Sequence, residues 1–501
     1  MEERKPPMTD TSPAFSRQPQ VENSPWRATA LQLRIADCGL RIEKKKSPPV
    51  PRLAGSRRRP RWCCAVRIDE KKSPPAPCVT SSLRHFVTRL GPGGTATRLG
   101  VAVLLALGLA GCSGKPVELT ETRQAMDTEV TVHAIAPNEP VARRALRAAW
   151  QEMDLCAVLL DRYRKPSEAW LKGEPAARQD PKQRPSDVWR TNEDAGKWAT
   201  RVDPIVTSAM AVAKEVWQMS GGAFDPTVGP LVDLWREAGK TGRLPTDAEI
   251  QKARALIGID KVEIMAAMVM RRPQDMPPRA PGEGYQPEDL QQTVHSVGLR
   301  AGMRLDLGGV AKGYIAGRMA QRMKNAGATA GLVAAAGDIY AFGRRPEPLA
   351  REAGDKLWRV GVQDPRFPED RSRLFTALHV CDQGVETSGH YYRGTTIEGK
   401  RYSHIIDPRS GRPVDTHLAS ITVVADDPGI GDGLATAIAV LGVKEGLALV
   451  QKTEGVECLL LEVKLKEGQE FQPNGAPPPD AEMVAHRSKG FAALEIPLDG
   501  K

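Results

Sequence analysis

Cysteine is scarce in this chain and badly spaced for chemistry. Of eight in 501 residues, only Cys156, Cys381 and Cys458 follow Cys112. They form neither a disulfide framework nor a Cys-x-x-Cys metal pair, so buried free thiols are expected. A Gly-x-Gly-x-x-Gly fingerprint is also missing, which excludes the usual dinucleotide turn of a Rossmann sheet. Most of the chain lacks any excess of positive charge. The net charge is +10, yet 20 Lys and Arg against 8 Asp and Glu lie before Cys112, leaving the remainder slightly acidic. Nucleic-acid binding by the folded part is therefore not expected.

The basic stretch, residues 1–84, does not read as a domain. It is rich in Pro, Arg and Ser and repeats itself, with "RIEKKKSPPVP" at Arg41–Pro51 returning as "RIDEKKSPPAP" at Arg67–Pro77. Such a segment buries too little apolar surface to offset chain entropy. It reads either as a functional basic tail or, the favoured alternative, as repeat sequence ahead of a start codon set too early. Residues 85–111 explain the preference. A short basic region leads into an apolar run, Leu99–Ala110, and ends at Leu109-Ala110-Gly111-Cys112. That order makes a secretory signal, and the run falls short of the roughly 20 residues of a membrane span. Its ending resembles the bacterial lipoprotein box, which implies lipid on Cys112 and anchoring at the periplasmic face of a bacterial membrane.

A linker, 112–121, precedes a mixed region ending near residue 465. "AMDTEVTVHAIA" alternates as a strand, and Val141–Tyr163 has helical spacing. Lys165–Pro185 and Met276–Gln292 read as surface insertions. "PIVTSAMAVAKEVWQMS" reads as a helix, "AFDPTVGPLVDLWREAG" as a turn into another short helix, and "MRLDLGGVAKGYIAGRMAQRMKNAG" as strand, glycine turn, helix and cap. Strands follow at Leu332–Tyr340, Leu357–Gln363, Phe375–Cys381, Ile421–Val424 and Glu457–Leu461. Helices are expected at Asp432–Leu441 and Val443–Lys452. Strands and helices mix without βαβ alternation, which predicts a single α+β domain. Residues 466–501 read as a polar, Pro-rich tail.

Several segments carry possible chemistry, each with a plainer alternative. Gly308 and Gly309 open a helix whose free amides would favour phosphate, with Lys312 in reach; a tight connection fits as well. Asp432 and Thr436 share a helix face and offer oxygen donors suited to Mg²⁺, or Asp432 is an N-cap. Asp225, beside Phe224 in a turn, could grip a heterocycle or close an Asx-turn. Thr387, Ser388 and Gly389 are placed after a strand. His404, in "YSHIIDPRSGRP", is either a packed strand residue or the base of an apolar-walled site.

The order of these segments is more telling than any one of them. "MDT", "GAFDPTVGPLVDLW", "LDLGGVAKGY", "GDIYAFG", "TSG", "YSHIIDPRSGRPV" and "GDGLATAIAVLG" together resemble the ApbE family, the bacterial FAD:protein FMN transferases. The likeness covers nearly all of Thr122–Leu461, and "AFDPTVGPL" and "SHIIDPRSG" are its most specific parts. It implies Mg²⁺-dependent transfer of FMN from FAD to a threonine of a partner protein through a phosphoester, releasing AMP. It further implies Asp432, Thr436 and the Ala311 carbonyl as metal ligands. Met126, Tyr163, Ala223, Phe224, Asp225, Gly308, Lys312 and Ile406 become FAD contacts, with His404 as catalytic base. The acceptor implied carries an Asp-x-x-(Ser/Thr)-(Gly/Ser)-Ala-Thr-like motif, with a membrane redox subunit as one candidate. This chain has Met126-Asp127-Thr128 where the family usually has Met-Gly-Thr. Two other readings share the site: an FAD pyrophosphatase, and a silent FAD-binding lipoprotein.

Overall fold

The computed structural model describes residues 115–271, 276, 286, 289–349, 356–389, 394–465, 475–496 and 498. The basic tract, the expected signal sequence and Cys112 lie outside the described residues.

Sixteen strands occur among the described residues: β1 (Val117–Ala125), β2 (Thr128–Ala136), β3 (Thr200–Val202), β4 (Glu263–Met270), β5 (Gln291–Gly298), β6 (Ala330–Ala335), β7 (Asp338–Phe342), β8 (Trp358–Gln363), β9 (Leu374–Val380), β10 (Gln383–Gly389), β11 (Gly394–Ile397), β12 (Lys400–Ser403), β13 (Leu418–Ala425), β14 (Val456–Lys464), β15 (Glu482–Arg487) and β16 (Glu495–Ile496). The α-helices are α1 (Glu139–Leu160), α2 (Glu168–Leu171), α3 (Pro175–Gln179), α4 (Asp187–Glu193), α5 (Pro204–Met219), α6 (Gly229–Thr241), α7 (Asp247–Arg254), α8 (Ala311–Asn325) and α9 (Pro428–Val450).

An antiparallel sheet in the order β1-β2-β6-β7-β10-β13-β14-β15 forms the spine. Alternation along its strands sends side chains to two different cores. On one face Val132, Val423 and Leu460 meet α1, α5, α8 and α9. On the other, Ile135, Val385, Val424 and Leu459 pack with Val360 and Leu378 of a smaller sheet, β16-β9-β8. Covered on both sides, β13 is buried at every position. Helices on one face of an antiparallel sheet bear out the α+β expectation.

The helix α9 is long and apolar enough to cross a membrane. Here it is a core helix, with Leu434, Ala435, Ala437 and Ile438 fully buried. Gly442, at φ 77°, breaks its helical geometry. The two expected helices are therefore its two halves, and a third satellite core forms where β11 and β12 lie on α6 and α7.

Several expectations need correction. The linker and first strand are instead a hairpin, β1 and β2, turning at Met126 and Asp127 with φ of 52° and 58°. Both central residues of that turn are left-handed, a conformation aspartate tolerates better than most. The insertion at 165–185 contains α2 and α3, and β5 begins inside the second expected insertion. Leu332–Tyr340 is two strands. Thr387–Gly389 lie within β10, not after a strand. Past residue 465 the chain returns to the body: β15 pairs with β14 and β16 with β9. Cys156 and Cys458 are buried free thiols as expected, whereas Cys381 is half-buried.

Candidate active site

At the start of α8 the first amides lack partners within the helix. One finds a carboxylate from α9: Gly313 N–H donates to Asp432 Oδ2 at 3.1 Å. Asp432 is not the cap of its own helix. That role belongs to Asp427, whose Oδ1 accepts from Gly429 N–H at 2.8 Å and Ile430 N–H at 3.1 Å. Asp432 sits one turn further along and faces α8. The two helices approach this closely because position 313 has no side chain; a Cβ there would lie 2.0 Å from the Pro428 carbonyl oxygen.

Thr436, the next turn of α9, faces the glycine turn ahead of α8. A Cβ on Gly309 would meet Thr436 Oγ1 at 3.3 Å and Phe224 Cε2 at 2.9 Å. Three segments far apart in sequence thus meet around Gly309. Ala311 is the first residue of α8 itself, so the turn residue beside Thr436 is Gly309.

Lys312 points toward the carboxylates. Its Nζ pairs with Asp338 and stands 3.6 Å from Asp432 Oδ1, while its side chain stays 29% exposed. Burial opposes its charge, but Asp432 and Asp338 outweigh that and raise its pKa. Burial pushes the Asp432 carboxyl up to about 7, reinforced by Asp338 and opposed by Lys312 and the Gly313 amide. Glu386, on β10, is fully buried, and neither of its oxygens has a hydrogen-bond partner among the described residues. Burial, then the Asp338 and Asp432 charges, drives it well above the usual carboxylate range. Sequence reading missed Asp338 and Glu386. For Asp338 the available signal was a carboxylate opening an otherwise apolar strand; Glu386, in the polar strand "QGVETSG", carried none.

The turn at 223–226 is built by its own side chains. Gly221 and Gly222, at φ 59° and 80°, lead the chain out of α5. Asp225 Oδ1 accepts from Thr227 N–H (2.8 Å) and Thr227 Oγ1 (2.6 Å), and Oδ2 from Ile259 N–H (3.3 Å). Burial raises its pKa against these bonds. Asp225 therefore closes an Asx-turn, while Ala223 and Phe224 enter the main core. The same Asp225 lines a cavity of about 380 Å³ with Trp217, Arg254, Pro408 and Arg409. The cavity joins the two segments that carry the most specific sequence likeness.

His404 is not a packed strand residue. β12 ends at Ser403, and His404 stands exposed between a buried Ser403 and a buried Ile405. The two isoleucines that follow separate: Ile405 enters the main core and Ile406 the satellite core with Trp235 and Ile397. The loop then closes on itself, with Asp407 N–H donating to Arg412 O at 2.9 Å and Gly411 N–H to Asp407 O at 2.8 Å. Tyr163 is 50% exposed after the end of α1. Met126, in the β1–β2 turn, packs on the main core. Among the described residues, no hydrogen bond or ion pair joins Met126 or Ile406 to Lys312 or Asp432.

A match to the ApbE family model extends over residues 126–460. The chain belongs to the ApbE family. It is 28% identical over 366 residues to the FAD:protein FMN transferase of Treponema pallidum (strain Nichols), covering 73% of this chain and 90% of that protein. It is 31% identical over 277 residues to that of Klebsiella pneumoniae (strain 342), covering 55% and 75%. In fold it is similar to the flavinyl transferase ApbE of Pseudomonas stutzeri in its apo form, with a TM-score of 0.53, 24% identity, and coverage of 76% of this chain and 97% of that one. The flavin transferase ApbE of Vibrio cholerae gives a TM-score of 0.51 at 20% identity, covering 76% and 99%. Every candidate site residue from Met126 to Thr436 falls inside the ApbE match, whereas β15 and β16 fall outside it.

Proposed function

We propose that this ApbE-family chain transfers FMN from FAD to a threonine hydroxyl of another protein and releases AMP. The observation that carries the reading is the meeting of Phe224, Gly309, Lys312, Asp432 and Thr436, which lie on three separate segments. Relatives named FAD:protein FMN transferase support the same reading.

The donor set fits a magnesium ion: a carboxylate, a hydroxyl and a backbone carbonyl from the turn entering α8 suit a cation that takes few protein ligands and keeps several waters. Asp432 and Thr436 would hold the ion with the carbonyl of Gly309 or Ala311. When bound, Mg²⁺ neutralises pyrophosphate charge and stabilises the departing phosphate. Lys312, its side chain partly exposed, brings an ammonium to the same phosphates, and the α8 N-terminus favours anions. His404 accepts the proton of the acceptor hydroxyl as its oxygen bonds to the FMN phosphorus. The bond from that phosphorus to the bridging oxygen breaks, and AMP leaves with the oxygen. Phe224, the 223–225 turn, Tyr163, Met126, Gly308 and Ile406 bind and orient FAD.

This reading includes lipid on Cys112 and a place at the periplasmic face of a bacterial membrane. Its support is the signal sequence and the Leu-Ala-Gly-Cys ending. It also includes an acceptor with the Asp-x-x-(Ser/Thr)-(Gly/Ser)-Ala-Thr-like motif, a membrane redox subunit among the candidates.

Incubation of the protein with FAD, MgCl₂ and a threonine-containing acceptor peptide tests it by mass spectrometry. The expected result is a peptide heavier by one FMN, with AMP in equal amount. Free FMN and AMP without a peptide adduct would replace transfer by FAD hydrolysis, and FAD binding without AMP would leave only a flavin-binding protein.

A further inference from the structure

Arg162 follows α1 and has no role in the site as described so far. Its guanidinium is one of the most enclosed charges in the protein, with 5% of the side chain exposed. Two carboxylates from distant segments grip it: Nη1 donates to Asp306 Oδ2 at 2.8 Å and Nη2 to Asp233 Oδ1 at 2.7 Å. Asp306 uses its other oxygen to accept from Gly308 N–H at 3.0 Å, and its own N–H donates to Pro226 O at 2.7 Å. One guanidinium therefore fixes the glycine turn, and through it the turn that carries Phe224 and Asp225. The next residue, Tyr163, has two cations against its ring, with the guanidinium carbons of Arg162 and Arg236 at 5.0 and 4.7 Å from its ring centroid. A half-exposed ring backed this way is held still for a planar ligand.

We propose that Arg162 is a positioning residue for FAD: by holding Asp306 and Asp233 together it fixes the Gly308 turn and the Tyr163 ring in one relation to the flavin nucleotide. This inference rests on the proposed FAD-dependent activity. Arginine suits the role because its planar fork carries several donors in fixed directions. Lysine keeps the charge but presents one point, so it cannot span both carboxylates in the same way.

The test compares Arg162→Lys with Arg345→Lys, using FAD titration by calorimetry and flavin fluorescence, thermal unfolding, and kcat and KM for transfer. Arg345 also grips a carboxylate with two nitrogens, at 3.2 and 2.7 Å from Glu118, but on the loop after β7. Arg162→Lys should weaken FAD binding by roughly tenfold, the loss of one charged hydrogen bond. KM for FAD should rise, and flavin fluorescence on binding should differ from wild type. Arg345→Lys should lower the Tm at most and leave FAD affinity unchanged. If Arg162→Lys does not fold, Asp233→Asn removes one arm of the grip and should weaken FAD binding severalfold. Wild-type affinity in whichever of these folds overturns the inference, as does an affinity loss in Arg345→Lys proportional to its loss of Tm. A wild-type protein that binds no FAD overturns the functional reading itself, and this inference with it.

Discussion

Gly313 N–H and Asp432 Oδ2 lie 3.1 Å apart, and this bond joins the start of α8 to the second turn of α9. It gives Asp432 two duties, capping one helix and offering its other oxygen to the cluster around Lys312. Their separation is the basis of the first prediction.

Asp432→Ala should abolish FMN transfer and Mn²⁺ binding measured by calorimetry, with Mn²⁺ standing in for Mg²⁺. Thr436→Val should weaken both. The lost cap costs about 1 kcal/mol. That is offset because a carboxylate is no longer buried beside Asp338 and Glu386. Melting temperatures should therefore move little. Wild-type transfer rates in both variants would leave the pair as a helix contact only.

His404→Ala should bind FAD and keep its Tm, since the side chain is exposed. Transfer should fall by roughly 10²–10⁴-fold, the range for loss of a general base. Transfer near the wild-type rate removes His404 from the mechanism.

Two glycines should respond differently to alanine. At Gly313 the new Cβ would lie 2.0 Å from the backbone oxygen of Pro428, so α8 and α9 must move apart. Overpacking of this kind costs about 1–3 kcal/mol or more, and Tm and activity should fall together. At Gly309 the obstructing atoms are side-chain tips, Phe224 Cε2 at 2.9 Å and Thr436 Oγ1 at 3.3 Å. Stability should suffer less there than activity, and a larger Tm loss at 309 than at 313 would contradict this account of the packing.

Burial, with Glu152 beside one and Glu457 beside the other, pushes the Cys156 and Cys458 thiols up to about 12. At pH 8 almost no thiolate forms at either. Iodoacetamide should leave the peptides containing them unmodified in native protein and label them in urea. Cys381, half-buried with a pKa raised by burial and Asp382, should react before them. Equal labelling rates for all three would show that the core opens readily.

The inner sheet and its helices were legible because their sequences are apolar with the right period, as in β13 and the first half of α9. β1 was not, since "VELTETRQA" has no apolar alternation. It is an edge strand paired only with β2, where charge is protective. "MRLDL" has a strand's pattern but forms only an isolated bridge, Val228 with Arg304. Asn192 is the reason. Its Oδ1 accepts from Leu305 N–H at 2.6 Å and its Nδ2 donates to Leu305 O at 3.0 Å, taking the groups a partner strand would use. At the site, motif order placed Phe224, Lys312, Asp432 and Thr436 in one neighbourhood. Buried polar partners were harder to read: Arg162, Asp338 and Glu386 become visible only when strands and helices distant in sequence are stacked.

β2 pairs with β6, Ile135 opposite Ala330, so everything from residue 137 to 329 is an excursion between two neighbouring strands. Closing so long a loop adds little entropy over a shorter one, because the cost grows only with the logarithm of length. Its effect falls on timing. Such pairings form late and slow the folding of a chain. A nascent chain ending anywhere between α8 and α9 already holds Tyr163, Phe224 and Lys312 but has neither Asp432 nor Thr436. The site thus has no working half: it arises in one step, when the last large helix docks.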